Sequence, residues 1–396
     1  MRRFLGIAAA LAAIACGRAP ETETMEQLRE RVFAVAKVQT VYMDSLLTEG
    51  RCPRTFQGDT LVTSDIGWWC SGFYPGVLWQ IFEETEDPRF MRLAVKHTLP
   101  LAGLLDRETD HDIGFQLMSS FGKMALDLPS DGPAGLSECN EKELTPKAVL
   151  AQGAETLAAR FIPEAGVLRS WNGSRWNIPV IIDNMMNLDL LMVYGDREVA
   201  EKHALTTAAN HFREDGTTWH LVDYADDGSI LGKQTVQGYA DDSAWARGQA
   251  WALYGYAQMA QREREAGNDA LSQQFYGIAA KLEGWMLPRL PEDGVPYWDF
   301  SQNDLRDASA GAILACGFLR MWNLRDCPAD DLAFAMAERI LRTLASPEYL
   351  AEPHTNGGFL LKHSVGSLPG HSEVDVPLTY ADYYFLEALM QYPYAD

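Results

Sequence analysis

Hydrophobic and polar positions along the chain recur mostly at the spacing of an amphipathic α-helix, and strand-like alternation is scarce. In the first such stretch, from about Met25 to Leu47, the side chains of Leu28, Val32 and Val35 fall on one face. Eleven further helices are predicted, with starts near Trp68, Pro88, Asp112, Pro146, Val180, Asp196, Ser243, Asn268, Asp307, Pro328 and Val376. The pattern therefore predicts an all-α chain of about twelve helices.

Several of these starts carry residues that commonly open helices. Thr24 precedes the first helix as an expected N-cap. Thr145 places a capping side chain before Pro146, a first-turn proline. Asp87-Pro88 and Asp375-Val376-Pro377 have a similar form. These boundaries therefore rest on local chemistry as well as on periodicity.

The spacing of the helices predicts their arrangement. The even-numbered helices start near residues 68, 112, 180, 243, 307 and 376, and apart from the first gap these starts are 63 to 69 residues apart. That is about the length of a helical hairpin, and six hairpins can close into an (α/α)6 barrel. The even helices are more apolar on all sides, as an inner ring requires. Because no strict repeat is present, an open helical array is the competing architecture.

Polar and aromatic residues gather near the starts of the even-numbered helices. They are Trp69, Asp112, Asp183, Asp241, Arg247 and Asp307. The inner helices of such a barrel run in one direction, so these side chains are predicted to meet at one mouth. Helix N-termini attract anions. A mouth that combines acidic, basic and aromatic groups suits a carboxylated sugar.

The first residues are interpreted as an export signal. Arg2 and Arg3 precede the apolar run Leu5 to Ala15, which is too short to span a bilayer. The run ends in Ala13-Ile14-Ala15-Cys16-Gly17, which resembles a bacterial lipoprotein cleavage box. We expect a signal peptide over 1–16, a tether over 17–24 and one (α/α)6 domain over 25–396. The expected location is the bacterial cell envelope, with a lipid on Cys16; ordinary secretion after cleavage nearby is the alternative.

Composition and charge narrow the partners. The 396 residues are 47% hydrophobic, enough for a large core, and include 11 Trp, a residue that often stacks on sugars. The formal net charge is −22, and it becomes −24 without residues 1–16, which hold two arginines and no acids. Such a surface repels nucleic acid and anionic membranes. The membrane contact that we expect is through the lipid alone, and an anionic substrate needs local positive charge in its site.

The cysteines and histidines do not indicate a metal. Beyond Cys16, the remaining cysteines are odd in number and widely spread: Cys52, Cys70, Cys139, Cys316 and Cys327. We interpret them mostly as small buried residues, with a Cys52–Cys70 disulfide left open. The eight histidines show no metal-ligand spacing. We therefore expect neither a metal nor a cofactor.

Two acids are candidates for chemistry, and each has a structural alternative. Asp112, in His111-Asp112-Ile113-Gly114-Phe115, has the position of an ordinary N-cap. Asp183 interrupts the apolar run Pro179-Val180-Ile181-Ile182 and is followed by Asn184 and Asn187. A buried acid needs partners or a function. A buried hydrogen-bonding network is the alternative for Asp183.

A third segment joins a cation to an aromatic ring. Arg247 and Trp251 are four residues apart and share a helix face. This pair suits a carboxylate beside a sugar ring, although an arginine–aspartate pair over a packed tryptophan is the structural alternative. Asp241 and Asp242, just before this helix, have the position of caps.

Two further segments are interpreted as loops. Val295-Pro296-Tyr297-Trp298-Asp299-Phe300, followed by Arg306-Asp307, predicts an ordered loop with a structural role. His363-Ser364-Val365-Gly366-Ser367 predicts a loop with two hydroxyls three residues apart. The sequence has no nucleophile elbow, P-loop, zinc-protease helix motif or dinucleotide fingerprint.

Four segments together resemble the unsaturated glucuronyl hydrolases, glycoside hydrolase family 88, whose fold is an (α/α)6 barrel. They are His111-Asp112 with Gly114-Phe115, Ile182 to Leu188, Trp245 to Trp251, and Tyr380 to Leu389. The resemblance spans essentially the whole mature chain. It implies that Asp112 and Asp183 are the two essential carboxylates. It implies substrate contacts at Trp69, His111, Trp171, His220, Thr235, Gln237, Arg247, Trp251, Ser364 and Ser367, with Trp176 as an alternative to Trp171.

The resemblance also implies a reaction. The enzymes protonate C4 of the C4=C5 enol ether in a terminal unsaturated uronic acid and add water at C5, after which the ring opens and the neighbouring sugar leaves. Asp183 would be the general acid and then activate the water, while Asp112 would hold ring hydroxyls and couple with Asp183. The expected function is removal of the non-reducing-end Δ4,5-unsaturated glucuronic acid from lyase-generated oligosaccharides, such as glycosaminoglycan disaccharides.

Two rival functions remain. The related unsaturated rhamnogalacturonyl hydrolases share the fold and a similar reaction, but the paired acids and the Arg247-Gly248-Gln249-Ala250-Trp251 segment favour the glucuronyl type. A lipid-anchored, non-catalytic glycan-binding protein would explain the aromatic residues and the anchor. It would not require Asp112 and Asp183 together.

Overall fold

Helices make up most of the described chain, as the periodicity predicts. The computed structural model describes residues 23–127, 145–173, 175–325 and 331–394. Within these ranges lie twelve helices: α1 Met25–Leu46, α2 Phe73–Thr85, α3 Pro88–Thr98, α4 Ile113–Leu117 continued by a π-helical segment Met118–Gly122 and by Lys123–Asp127, α5 Pro146–Ala158, α6 Asn184–Tyr194, α7 Arg197–His211, α8 Ala246–Glu265, α9 Asp269–Met286, α10 Ala308–Leu324, α11 Leu332–Leu344 and α12 Thr379–Gln391.

The even-numbered helices close into a ring. Each of α2, α4, α6, α8 and α10 contacts the next even helix, and α12 returns to contact α2. The odd helices α3, α5, α7, α9 and α11 pack against their even neighbours. Nearly every side chain of α10 and α12 is buried, which is what an inner helix with neighbours on all sides requires. The (α/α)6 barrel is therefore confirmed, and the open array is not observed.

The capping predictions are mostly confirmed. Thr24 forms a capping box with Gln27 at the start of α1, and Thr145 accepts a hydrogen bond from the backbone N–H of Ala148. Asp87 caps α3 in the same way, before Pro88. Asp375-Val376-Pro377 does not open a helix, because Ser372–Val376 is a strand and α12 begins only at Thr379.

Nine short strands were not predicted. They are β1 Cys52–Gln57, β2 Thr60–Ser64, β3 Phe161–Ile162, β4 Val167–Leu168, β5 Ile178–Ile181, β6 Leu221–Tyr224, β7 Ile230–Gln234, β8 Ser364–Ser367 and β9 Ser372–Val376. All pair antiparallel, in the orders β1-β2, β3-β4, β5-β6-β7 and β8-β9. The predicted start of α6 at Val180 was wrong for this reason, because Val180 pairs with Val222 in the β5–β6 ladder.

Other predicted features differ in detail or lie outside the described ranges. The predicted starts at Trp68 and Ser243 were early, because turns precede α2 and α8. Cys52, Cys70 and Cys316 are free thiols, so Cys52 and Cys70 do not form a disulfide in this structure. The signal segment 1–16, the tether up to residue 22, Cys139, Cys327 and the start at Pro328 are outside the described residues.

Candidate active site

Asp112 and Asp183 occupy the N-cap positions of α4 and α6, yet neither caps its helix. Neither carboxylate accepts a hydrogen bond from the first turn. Elsewhere in the described chain Asp196 and Asp307 do accept such bonds. The simple N-cap interpretation of Asp112 is therefore wrong. Both side chains are only partly exposed, at 20% for Asp112 and 14% for Asp183, so they are free to act on a ligand in the mouth.

The chain brings the two acids together through a close contact between α4 and α6. A Cβ on Gly114 would lie 2.6 Å from Cα of Asn187, so only glycine permits this approach. The side-chain oxygen of Asn187 then accepts a 2.7 Å hydrogen bond from the backbone N–H of Phe115. Gly114 and Asn187 therefore set the approach of the two helix starts that carry the acids.

Burial favours the protonated form of both acids, and neighbouring negative charge adds to this effect at Asp112. The pKa of Asp112 is raised well above its usual value by burial, by Asp110 and by Asp183, against the opposing effect of Arg107. Burial raises the pKa of Asp183 to about 6, while the positive charge of Arg247 opposes the rise. Each carboxyl can therefore hold a proton at mildly acidic pH, as a general acid must.

His220 points a ring N–H at Asp183. Its Nδ1 accepts hydrogen bonds from the backbone N–H groups of Val236 and Gln237, at 3.0 and 3.2 Å, so the proton of the neutral ring lies on Nε2. Burial and Arg247 lower the pKa of His220 to about 3, which keeps the ring neutral. Nε2 lies 3.7 Å from Asp183 Oδ2, and within the described residues neither atom has a hydrogen-bond partner. The N–H of His220 thus faces the Asp183 carboxyl at a distance slightly longer than a hydrogen bond.

His111 lies on the other side of the carboxyl pair. Its Nε2 is 3.4 Å from Asp112 Oδ1, and its backbone N–H donates a 2.8 Å hydrogen bond to the carbonyl of Ser170. Burial lowers the pKa of His111 to about 4. Each acid therefore has a buried neutral imidazole within 4 Å, which adds no charge to the site.

Arg247 is buried and tied to other parts of the mouth. Its guanidinium donates to Asp307 at 3.1 Å and to the carbonyls of Val365 and Gly366 in the β8–β9 hairpin. The same group lies 4.5 Å above the ring of Trp245 and 5.4 Å from that of Tyr380. The arginine–aspartate pair over a tryptophan is thus present, although the tryptophan is Trp245, not Trp251. The charge of Arg247 also reaches Asp183 and His220, as their pKa values indicate.

Aromatic side chains form one wall and the floor of the mouth. Trp69 contacts Tyr380 at 4.7 Å between ring centroids and Phe115 at 5.7 Å. Trp251 lies beneath them, 1% exposed, with its ring 5.1 Å from that of Phe115. The structure therefore places Trp69 at the wall and Trp251 in the floor.

The remaining expected contacts fall on three loops around the mouth. Thr235 and Gln237 wrap His220, and the side chain of Gln237 also donates to the carbonyl of Gly366 at 3.0 Å. Ser364 and Ser367 lie on β8; Ser364 Oγ is buried and has no partner in the described structure. The rings of Trp171 and Trp176 contact each other, with centroids 5.7 Å apart. The expected tryptophan and its alternative therefore lie side by side.

Sequence reasoning missed several residues of this site. Trp245 stacks beside His220 at 4.6 Å, and Tyr380 stands between Trp69 and Arg247, although both occur in the segments that carry the resemblance. Asp110 lies beside Asp112, and its signal was only its position two residues before. Asp241 caps no helix but accepts a hydrogen bond from the backbone N–H of Thr235. Asp299 and Asp307 have the structural roles expected for their loop.

The fold and the site together define the class of protein. A closed (α/α)6 barrel with two protonatable carboxyls in an aromatic mouth is the architecture of a glycoside hydrolase. No family model matches the chain. An unsaturated glucuronyl hydrolase of Formosa agariphila is 36% identical over 338 residues, covering 81% of this chain and 79% of that protein.

Two further similarities agree with this one. An unsaturated chondroitin disaccharide hydrolase of Streptococcus pneumoniae is 30% identical over 388 residues, 93% of this chain and 92% of that protein. A crystal structure of an unsaturated glucuronyl hydrolase specific for heparin matches with a TM-score of 0.82 and 36% identity, over 93% of this chain and 97% of that one. The chain belongs to the unsaturated glucuronyl hydrolase family.

Proposed function

We propose that this enzyme removes Δ4,5-unsaturated glucuronic acid from the non-reducing end of lyase-generated oligosaccharides by hydrating its C4=C5 bond. The observation that carries the assignment of residues is the pair Asp112 and Asp183. Both stand at helix starts without capping, both are nearly buried, and the pKa of each is raised. A non-catalytic glycan-binding protein has no need for two such carboxyls side by side.

In the proposed reaction Asp183 transfers its proton to C4, and the C4=C5 electron pair forms the new C4–H bond. Positive charge then develops at C5 and the ring oxygen. The Asp183 carboxylate accepts a proton from a water, whose oxygen bonds to C5, so that Asp183 is protonated again. The resulting hemiketal opens the ring and the neighbouring sugar leaves. Asp112 holds the ring hydroxyls, and the N–H of His220 faces the Asp183 carboxyl and helps to orient it.

Glycosaminoglycan-derived disaccharides are the proposed substrates. The relatives' names include chondroitin disaccharide and heparin substrates, which come from that class of polysaccharide. The tryptophan wall and the buried hydroxyl of Ser364 suit a sugar ring, since aromatic faces stack on pyranoses while unmet polar atoms bind hydroxyls. A rhamnogalacturonan-type substrate is the alternative, and comparing turnover of the two kinds of substrate distinguishes them.

The test is turnover of unsaturated disaccharides, followed as loss of the enoate's ultraviolet absorbance. Asp183→Asn keeps the shape of the side chain but lacks the acid proton, and we expect a rate loss on the order of 10²–10⁴. Asp196→Asn is the matched control, because that acid only caps α7. Wild-type turnover by Asp183→Asn would remove Asp183 from the reaction. No turnover by the wild-type protein on glucuronyl or rhamnogalacturonyl substrates would overturn the enzymatic proposal.

We further propose that the protein is exported to the bacterial cell envelope and held there by a lipid on Cys16. The proposal is supported by three features of residues 1–17: the two N-terminal arginines, the short apolar run and the lipoprotein cleavage box. In the described ranges, every helix is too short or too polar to serve as a bilayer anchor. Cys16→Ser should release the protein from membranes. The mass of intact wild-type protein, extracted from membranes, tests this anchor. A mass that shows no lipid on Cys16 would disprove it.

A further inference from the structure

The carboxylate of Asp110 links the backbone of Asp112 to Arg107 and Thr109. Asp110 Oδ1 accepts a 3.2 Å hydrogen bond from the backbone N–H of Asp112. Its Oδ2 accepts from Arg107 Nη2 at 3.0 Å and from Thr109 Oγ1 at 2.8 Å. The backbone of Asp110 also pairs with that of Trp171. A single side chain and its peptide therefore join the catalytic loop to a tryptophan of the mouth.

Arg107 extends this link to the loop that carries Trp69. Its Nη1 donates to the carbonyl of Gly67, while Nη2 is bound to Asp110. Because Gly67 lies two residues before Trp69, Arg107 helps to hold that loop, together with Gln116, which donates to the carbonyls of Ile66 and Trp68. Asp110 is thus bonded, directly or through one arginine, to the segments that hold Asp112, Trp171 and Trp69.

We propose that Asp110 is a positioning residue of the reaction, which fixes the backbone of Asp112 and supplies negative charge beside the Asp112 carboxyl. Only the kinetic consequences of this proposal rest on the proposed function. Asp110 acts through Asp112, and it is no part of the set of substrate contacts that the resemblance implies. Its side chain is 22% exposed, so its charge is only partly screened by solvent.

The charged groups around Asp112 determine in which direction its pKa should change when Asp110 is neutralised. Asp110 from its own loop and Asp183 from the start of α6 both disfavour a negative Asp112, whereas Arg107 and Arg160 favour it. His111 is neutral, because burial lowers its pKa. Of the neighbouring charges, Asp110 has the largest effect on Asp112. Removing the charge of Asp110 should therefore lower the pKa of Asp112.

Three variants separate charge from geometry. Asp110→Asn removes the charge and retains an oxygen that can accept from the backbone N–H of Asp112, although its amide nitrogen can no longer accept from Arg107. Asp110→Glu keeps the charge but moves the carboxylate by one methylene, which disturbs that bond. Glu108→Gln is the matched control, because Glu108 is an exposed acid of the same loop whose backbone carbonyl, not its side chain, accepts from Arg160 and Asn172.

The first measurement needs no turnover. Carboxyl-carbon NMR follows the titration of Asp112 in the ligand-free protein, with Asp112→Asn to assign the signal. We expect Asp110→Asn to move this titration to lower pH and Glu108→Gln to leave it nearly unchanged. An identical titration in wild type and Asp110→Asn would overturn the electrostatic part, whether or not the proposed enzymatic function holds.

The second measurement is kinetic. Asp110→Asn should lower kcat/KM on the order of tenfold and move the limb of the pH profile that follows Asp112 toward acid. Asp110→Glu should lower kcat/KM without moving that limb. A loss of activity in Asp110→Asn with an unmoved pH profile and reduced thermal stability would make Asp110 merely structural and overturn the proposal. Failure of the wild type to turn over substrate would instead count against the proposed function.

Discussion

An aspartate at the start of a helix can cap that helix or leave its carboxyl available to a ligand, and this protein contains aspartates that cap and aspartates that do not. Asp196, Asp307 and Asp331 accept hydrogen bonds from first-turn N–H groups and so cap their helices. Asp112 and Asp183 lack those bonds, and the pKa of each is raised by burial, with Asp183 adding to the rise at Asp112. The local sequence looks alike in both cases, so position alone could not separate them.

The pKa of Asp183 gives a prediction about activity and pH. A general acid must carry its proton before the reaction, and burial raises the pKa of Asp183 to about 6. Below that pH most molecules hold the proton, and above it the protonated fraction falls about tenfold per pH unit. We therefore expect kcat/KM on an unsaturated disaccharide to decline as pH rises through about 6. A profile that stays flat well into the alkaline range would contradict the assignment of Asp183 as the acid.

Arg247 shows where a residue's partners decide its role. The spacing to Trp251 predicts a grip on the substrate carboxylate, but the guanidinium is bound to Asp307 and to two carbonyls of the β8–β9 hairpin. Those partners are 60 to 119 residues away, and no local pattern announces them. Its contribution to the site is therefore at least partly the placement of that hairpin.

For Arg247→Lys we expect a loss of both activity and stability. Lysine keeps the charge but cannot reach three acceptors with a planar fork. The cost should be about 1–3 kcal/mol in the free energy of unfolding, measured by denaturant titration, together with a lower kcat/KM. Arg264→Lys provides a control, because Arg264 lies at the far end of the same helix and is exposed. Unchanged stability would show that the hairpin does not depend on Arg247.

At the scale of elements, periodicity predicted the ring of helices better than their ends. The capped starts of α1, α3 and α5 were correct because their signals are local. The start of α6 was wrong because a continuous apolar run reads equally as a buried helix or a buried strand, and here Ile178–Ile181 is β5. The pairing of β5 with β6 could not be predicted, since it joins segments some 40 residues apart, whereas β6 and β7 form a local hairpin.

The close approach of α4 and α6 is testable at Gly114. A methyl group there would lie 2.6 Å from Cα of Asn187, so Gly114→Ala must push the two helix starts apart. We expect a loss of about 1–3 kcal/mol in stability and a marked fall in kcat, because Asp112 then moves relative to Asp183. Gly284→Ala in α9 is the control, since nothing lies within 4 Å of a Cβ there and a small gain in stability is expected. Equal behaviour of the two variants would disprove the contact's importance.

At the scale of the whole molecule, the enzyme presents strong negative charge to a negatively charged substrate. The formal net charge is −22, and the unsaturated uronic acid carries a carboxylate. Two arginines near the carboxyl pair are each bound to an acid: Arg247 to Asp307 and Arg107 to Asp110. Their positive charge therefore acts at short range, while the long-range field remains negative.

This balance predicts an unusual response to salt. Screening weakens the long-range repulsion more than the buried contacts in the mouth, so kcat/KM should rise as ionic strength increases toward the physiological range, by roughly several-fold. The rise should be larger for a sulfated unsaturated disaccharide than for its unsulfated counterpart, because the sulfate adds a second negative charge. The value of kcat, which reports the bound complex, should change little, and potassium chloride and sodium chloride should act alike. A fall in kcat/KM with added salt would show that the paired arginines and the six helix N-termini outweigh the net charge, and that the mouth attracts its substrate from a distance.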